Sequence, residues 1–260
     1  MLKLLMEQHS CKNCENLFEG RFCNVCGQKT AHRLDVSHIW HEVIHLFTHA
    51  DKGIFAFIPK IITQPGIIAL DYVQGKRKKY FNPLQYLVII IGIVTFLIAR
   101  SHFIEQVMST ITTMNSTNVP ASAVKQQLKI AQFFQRYFNI IMFLLIPILS
   151  FFSWLFFRKK KFNYAEHILL QVTLQAQSNT ILLFTFYPLL FIFGLHAPKI
   201  LFALPLTTLM ICMMITYSQF LKIPWWIALL KGLLIFICTN ICQLIISAIV
   251  IFIYVILIKK

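Results

Sequence analysis

Four cysteines near the N-terminus carry the clearest chemical signal in the chain. Cys11-Lys-Asn-Cys14 and Cys23-Asn-Val-Cys26-Gly27 are two C-x-x-C units with eight residues between them. Each unit can present two thiolates to one ion from a tight knuckle, and four thiolates in a closed set favour tetrahedral Zn2+. Iron in a rubredoxin-type site uses the same ligands. A pair of disulfides is disfavoured, because the segment is expected to face a reducing cytoplasm. Four protein ligands leave no open coordination position, so the expectation is one structural Zn2+ per chain, held by Cys11, Cys14, Cys23 and Cys26. The spacer, residues 15–22, suits a small hairpin with Glu19-Gly20 at its turn. A zinc ribbon over residues 8–30 is too small to hold a core without its ion, so binding the metal should be its folding. Lys12, Arg21 and Lys29 are balanced by Glu7, Glu15 and Glu19. The ribbon therefore has no basic patch; a cytoplasmic protein is the expected partner and nucleic acid is not.

His41-Glu42-Val43-Ile44-His45 matches the H-E-x-x-H pattern, in which two His one helical turn apart hold Zn2+ and the Glu polarises the attacking water. A catalytic site needs a third ligand. His38 and His49 share the same helix face, and Asp71 is an acidic residue with no supporting context. The helix expected over residues 35–50 is amphipathic, with Val36, Ile39, Trp40, Val43, Ile44, Leu46 and Phe47 opposite the histidine stripe. The favoured reading is a helix lying on the bilayer with its polar face in water. A second, non-catalytic metal or pH-sensing site and a metallohydrolase using His41, Glu42 and His45 are the alternatives.

These modules must be held by a very apolar chain. Of 260 residues, 58% are apolar and 13% charged, and the mean hydropathy is +0.70. A soluble globule of this size could not hide so much apolar surface, and 25 Phe exclude disorder. Met1 to Met6 is too short for a signal peptide. Residues 53–62, broken by Pro59, are too short to cross a bilayer and read as interfacial or re-entrant; Gln64-Pro65 then starts a short helix that Gly75 ends. Residues 35–82 thus form a membrane-surface helical segment, and residues 83–260 the transmembrane domain. Since about 20 helical residues cross a core of ~30 Å, five spans are expected at about 83–99, 138–157, 178–195, 200–221 and 232–258, with an interfacial helix from Tyr164 before the third. The fold class is an all-α polytopic membrane protein with a small N-terminal zinc-ribbon module.

The net charge of +15 comes from 24 Lys and Arg against 9 Asp and Glu. Its densest parts are Lys76, Arg77, Lys78, Lys79 and Arg158, Lys159, Lys160, Lys161, with Lys222 and Lys231 beside a later turn. All fall on one side of the expected spans, which makes the N-terminus cytoplasmic, in a bacterial inner membrane. Both runs can also attract anionic lipid headgroups. Tyr80, Tyr86, Trp225 and Trp226 fit an interfacial aromatic belt. No acidic residue follows Glu166, which argues against a proton- or cation-coupled transporter. A transporter or lipid-handling protein would instead line a cavity with Gln171, Gln175, Asn179, Asn240 and Gln243. Amides of this kind also bond helix to helix, and Cys212, Cys238 and Cys242 read as small packing residues.

Several of these residues together resemble an uncharacterised family of bacterial membrane proteins, classed as a domain of unknown function. They are Cys11, Cys14, Cys23 and Cys26-Gly27, then His49-Ala50-Asp51-Lys52-Gly53, Pro65-Gly66, Tyr72-Val73-Gln74-Gly75-Lys76-Arg77, Tyr80 and Pro83, with a fainter echo in Tyr164-Ala165-Glu166-His167. Such ribbons often carry Gly where this chain has Glu15. The resemblance implies the ribbon and the membrane placement and no activity. Without a convincing catalytic set, the expected function is that of a non-enzymatic membrane scaffold or regulator.

Overall fold

The computed structural model describes residues 8–30, 33–36, 53–100, 138–193 and 198–258. A two-stranded antiparallel hairpin, β1 (Gln8–Ser10) and β2 (Leu17–Glu19), precedes a helical body. The body consists of α1 (Ile54–Thr63), α2 (Pro65–Val73), α3 (Pro83–Arg100), α4 (Phe138–Phe157), α5 (Tyr164–Phe184), α6 (Phe186–Phe193), α7 (Pro198–Leu221) and α8 (Trp225–Ile258). Short 3-10 turns at Arg77–Lys79 and Arg158–Lys160 carry the two basic runs. Residues 37–52, with His38, His41, Glu42, His45 and His49, lie outside the described residues.

Among the described residues, three stretches are long and apolar enough to cross a bilayer: Arg77–Ile98, Ala203–Leu221 and Trp225–Ala248. The pair α1–α2, bent by 108°, makes a fourth if it counts as one broken span. Helix α4 forms at the bounds expected for the second span. Helix α8 begins at Trp225 rather than near Gly232, because the chain leaves Pro224 directly into helix and Lys231 is accommodated inside it. The Lys231 ammonium donates to the Phe156 carbonyl at 3.0 Å and lies 4.8 Å from the Phe157 ring, closing the C-terminal end of α4.

The expected third span is misplaced. In place of one helix from Ser178 to Leu195, α5 runs unbroken through the polar stretch and ends at Phe184, with α6 following. Pro188 causes the break, since it lacks an N–H and its ring crowds the carbonyl four residues back, that of Phe184. A capping box starts α5: the Asn163 side chain accepts from the Glu166 N–H, and the Glu166 carboxylate accepts from the Asn163 N–H. Helix α5 is the hub of the bundle, packed against α1, α2, α3, α4, α6 and α7. Buried on every side, it would be costly without partners for its polar side chains. Several of these side chains have them. Gln171 donates to the Tyr217 hydroxyl at 2.9 Å, and the Thr180 hydroxyl is 2.8 Å from that of Tyr86. Tyr86 is therefore a core residue rather than part of an aromatic belt, whereas Trp225 and Trp226 are exposed.

Two further amides repair the bend between α1 and α2. Gln177 of α5 donates to the Ile62 carbonyl at 2.8 Å and accepts from the Thr216 hydroxyl. Gln219 of α7 donates to the Thr63 carbonyl at 2.9 Å and accepts from the Gly66 N–H at 3.1 Å. Backbone freed at a break inside an apolar body must find protein partners, and these glutamines supply them. Gly66 allows the approach. A Cβ there would meet the Thr216 carbonyl oxygen, the Gln219 Cβ and the Phe220 nitrogen, all closer than 3.0 Å. Gly66→Ala should therefore destabilise the purified protein by roughly 1–3 kcal/mol. Gln219→Leu, which orphans two backbone groups, should cost about as much. Thermal unfolding in detergent reads both, and unchanged midpoints would contradict this account of the bend.

Candidate metal centre and its support

The two knuckles are built alike. In the first, the Cys11 N–H donates to the Asn16 carbonyl and the Glu15 N–H to the Cys11 carbonyl, at 2.9 and 2.8 Å. In the second, the Cys23 N–H donates to the Gln28 carbonyl and the Gly27 N–H to the Cys23 carbonyl, both at 2.9 Å. Each C-x-x-C unit is thus the loop of its own small hairpin. Strands β1 and β2 flank the first, and a Phe22–Lys29 bridge flanks the second. The expected hairpin within residues 15–22 is replaced by this arrangement, because a knuckle already turns the chain back on itself; Gly20, at φ +91°, turns between the two units.

The knuckles bring the four sulfur atoms within 4.8 Å of one another. Cys11 and Cys26 are 3.5 Å apart, and Cys14 and Cys23 are 3.6 Å apart. These distances are far beyond the ~2.05 Å of a disulfide. Four ligands at ~2.3 Å in a tetrahedron place sulfurs ~3.8 Å apart, so this donor set fits one thiolate-bound ion. Backbone N–H groups are aimed at the sulfurs. Those of Cys26 and Val25 favour the Cys23 thiolate, which is lowered to about 6, and that of Gln28 lowers Cys26. The Asn16 amide also favours the Cys14 thiolate, but desolvation and hydrogen bonds shared with the other three thiols lift that group to about 12. Neighbouring thiolates oppose one another's ionisation, and a cation among them removes that conflict.

The module rests on the helical body. Gln28, next to the second knuckle and 5% exposed, donates to the Gly75 carbonyl at 2.7 Å and accepts from the Lys78 N–H at 3.1 Å. Residues 33 and 34 are anchored to the helical body. The Arg33 guanidinium makes a bidentate pair with Glu166 at 2.8 and 3.1 Å and also donates to the Lys161 carbonyl. Leu34 is buried with Tyr72, Ala165 and Leu169, and its carbonyl accepts from the Asn163 side chain. Gln28, Arg33 and Leu34 carry no motif. The one hint in the sequence is Glu166, an isolated acid that needs a cation.

Asp71 is similarly committed. It accepts from Lys79 at 2.7 Å, from the Tyr80 hydroxyl at 2.8 Å and from Lys76 at 3.3 Å. This cluster ties α2 to the turn that Gln28 grips, so Asp71 has a structural task in place of the metal-ligand role considered for it. Among the amides considered as cavity lining, Gln171 bonds across to α7, while Asn179 and Asn240 bond the Gln175 and Phe236 carbonyls of their own helices.

Residues 51–95 match the model of a family described as a protein of unknown function, DUF3667. No curated protein and no solved structure matches the chain. The matched segment holds the bent pair, the Asp71 cluster and most of α3. The four cysteines, Arg33 and Glu166 lie outside it.

Glu15 stands at φ +62°, the counterpart of Gly27 at φ +69°. The left-handed region costs a side-chain-bearing residue roughly 1–2 kcal/mol. Glu15→Gly should therefore tighten the first knuckle and slow removal of the bound metal by a chelator, with faster removal as the contrary result. Asp71→Asn should lower the unfolding midpoint by the equivalent of about 1–3 kcal/mol, as a charge-assisted cluster loses its acceptor.

Proposed function

We propose that this is a non-enzymatic scaffold or regulator of the bacterial inner membrane, with a cytoplasmic zinc ribbon seated on the membrane body. The observation that carries the reading is the closed set of four sulfurs within 4.8 Å. Zn2+ suits this set because a tetrahedral all-thiolate shell needs no particular d-electron count and leaves no open position for a substrate. The metal would fix the two knuckles, and Gln28 beside the second would carry that rigidity to the turn at residues 75–78. The membrane placement rests on the apolar helices. The cytoplasmic side rests on the gathering of the basic runs at one end of the bundle, where Gln28 meets Lys78 and Arg33 meets Lys161. A partner protein is the expected ligand of the ribbon's outer face, where Leu17, Phe22 and Val25 are exposed.

The side-chain amides of Gln171, Asn179 and Asn240, which donate within the protein, favour this reading over a transporter lined by the same residues. Replacing Cys23 and Cys26 by Ser should abolish zinc in the purified full-length protein; full zinc content in that variant would sink the assignment. Gln28→Ala should keep the zinc and loosen the seat, seen as faster amide hydrogen exchange over residues 23–30 and 75–78. Unchanged exchange there would show that the ribbon does not depend on this bridge.

A further inference from the structure

A cleft of about 440 Å³ opens where α1, the Arg77–Lys79 turn and the start of α3 meet. Its size is within the roughly 300–1,000 Å³ of small-ligand sites. All of its lining residues fall between Gly53 and Asn82, inside the segment matched by the family model. Four cations line it, Lys60 from α1 and Arg77, Lys78 and Lys79 from the turn, and among the described residues no carboxylate does. Asp71 holds Lys79 from outside the lining, so the cleft keeps a positive balance.

The cations are placed by what surrounds them. The Lys60 and Lys79 ammonium groups stand 5.8 and 5.0 Å from the Tyr80 ring, and the Arg77 guanidinium 5.6 Å from that of Tyr72. The Lys78 main chain is fixed by Gln28, while its side chain is exposed. At the rim, the Asn82 side chain accepts from the N–H groups of Leu84 and Gln85 and so caps α3, whose N-terminal end adds to the same positive potential. Phe55, beside the lining residue Ala56, is 81% exposed and sets an apolar side chain near the charged cleft. The cleft comes immediately before the apolar run of α3, which on the membrane reading puts it near the headgroup phosphates.

We propose that this cleft binds the phosphate group of an anionic membrane lipid. The inference rests on the membrane reading above and assigns it a ligand class. Cations converging from two elements recognise the phosphate, and the exposed Phe55 at the start of α1 offers an apolar contact to the acyl chains. The side chains of the basic turn at residues 158–160 are exposed, and this turn should attract anionic lipid only diffusely.

The test uses the full-length protein in neutral detergent. The probes are short-chain phosphatidic acid, phosphatidylcholine of the same chain length and inorganic phosphate. Phosphatidic acid should bind more tightly than phosphatidylcholine. Lys60→Gln with Lys78→Gln should weaken it by at least about tenfold, from two charges worth ~1 kcal/mol each. Lys159→Gln with Lys160→Gln removes the same charge and should leave the affinity nearly unchanged. Equal weakening in both double variants, or equal binding of the two lipids, would overturn the proposal. Inorganic phosphate at matched concentration should not displace the lipid; if it does, the ligand is a soluble phosphate and the lipid assignment is lost. Lys60→Gln alone, on the exposed face of α1, should show a partial loss should the double variant prove unstable. Zinc content and unfolding midpoint measured on the same samples separate failure of this site from failure of the ribbon's seat.

Discussion

A bent helix pair packed on an apolar bundle leaves backbone groups that lipid cannot satisfy, and the architecture follows from meeting that demand. Gln177 and Gln219 reach the break between α1 and α2 from two different helices. To do so, α5 must sit at the centre of the bundle and α7 must approach close enough that residue 66 is glycine. The most polar helix is consequently the most enclosed one. Gln171, Gln177 and Thr180 act as links between helices, a stiffer use of polarity than lining a path for solute.

The bend also decides what happens at the basic end. Because α2 turns back, its last turn presents Asp71 to Lys76, Lys79 and Tyr80, and this cluster shapes the turn at residues 75–80. Gln28 bonds that turn, and the turn's Arg77, Lys78 and Lys79 line the cleft. One short segment therefore joins the cysteine module, the helical body and a basic cleft. The Arg33–Glu166 pair adds a second tie, with Glu166 2% exposed and also closing the cap of α5. Loss of Arg33 would leave a buried carboxylate with its own cap as its remaining support, so this tie weighs more than an exposed ion pair does.

The cysteine centre was legible in the sequence because its ligands are local: two knuckles a few residues apart carry their own hydrogen bonds. The apolar helices were legible for the same reason, since hydropathy is a property of a segment. Glu15 in a left-handed position could be read by comparison with Gly27. Asp71 stood within reach of Lys76, Lys79 and Tyr80 along the chain, so its partners were available though its role was not. The pairs Gln28–Gly75 and Arg33–Glu166 are separated by 47 and 133 residues, and no spacing rule joins residues so far apart. The third span was misplaced because polar side chains lower hydropathy whether they face water or one another. Only the packing of α5 distinguishes the two cases.

The central claim is that four cysteines hold one structural zinc on which the seated module depends. X-ray absorption at the metal edge of the purified full-length protein, together with metal content per chain, tests it most directly. The account predicts one zinc per chain with four sulfur neighbours at about 2.3 Å. A shell containing nitrogen or oxygen, a second metal per chain, or cysteines oxidised to disulfides without metal would contradict it.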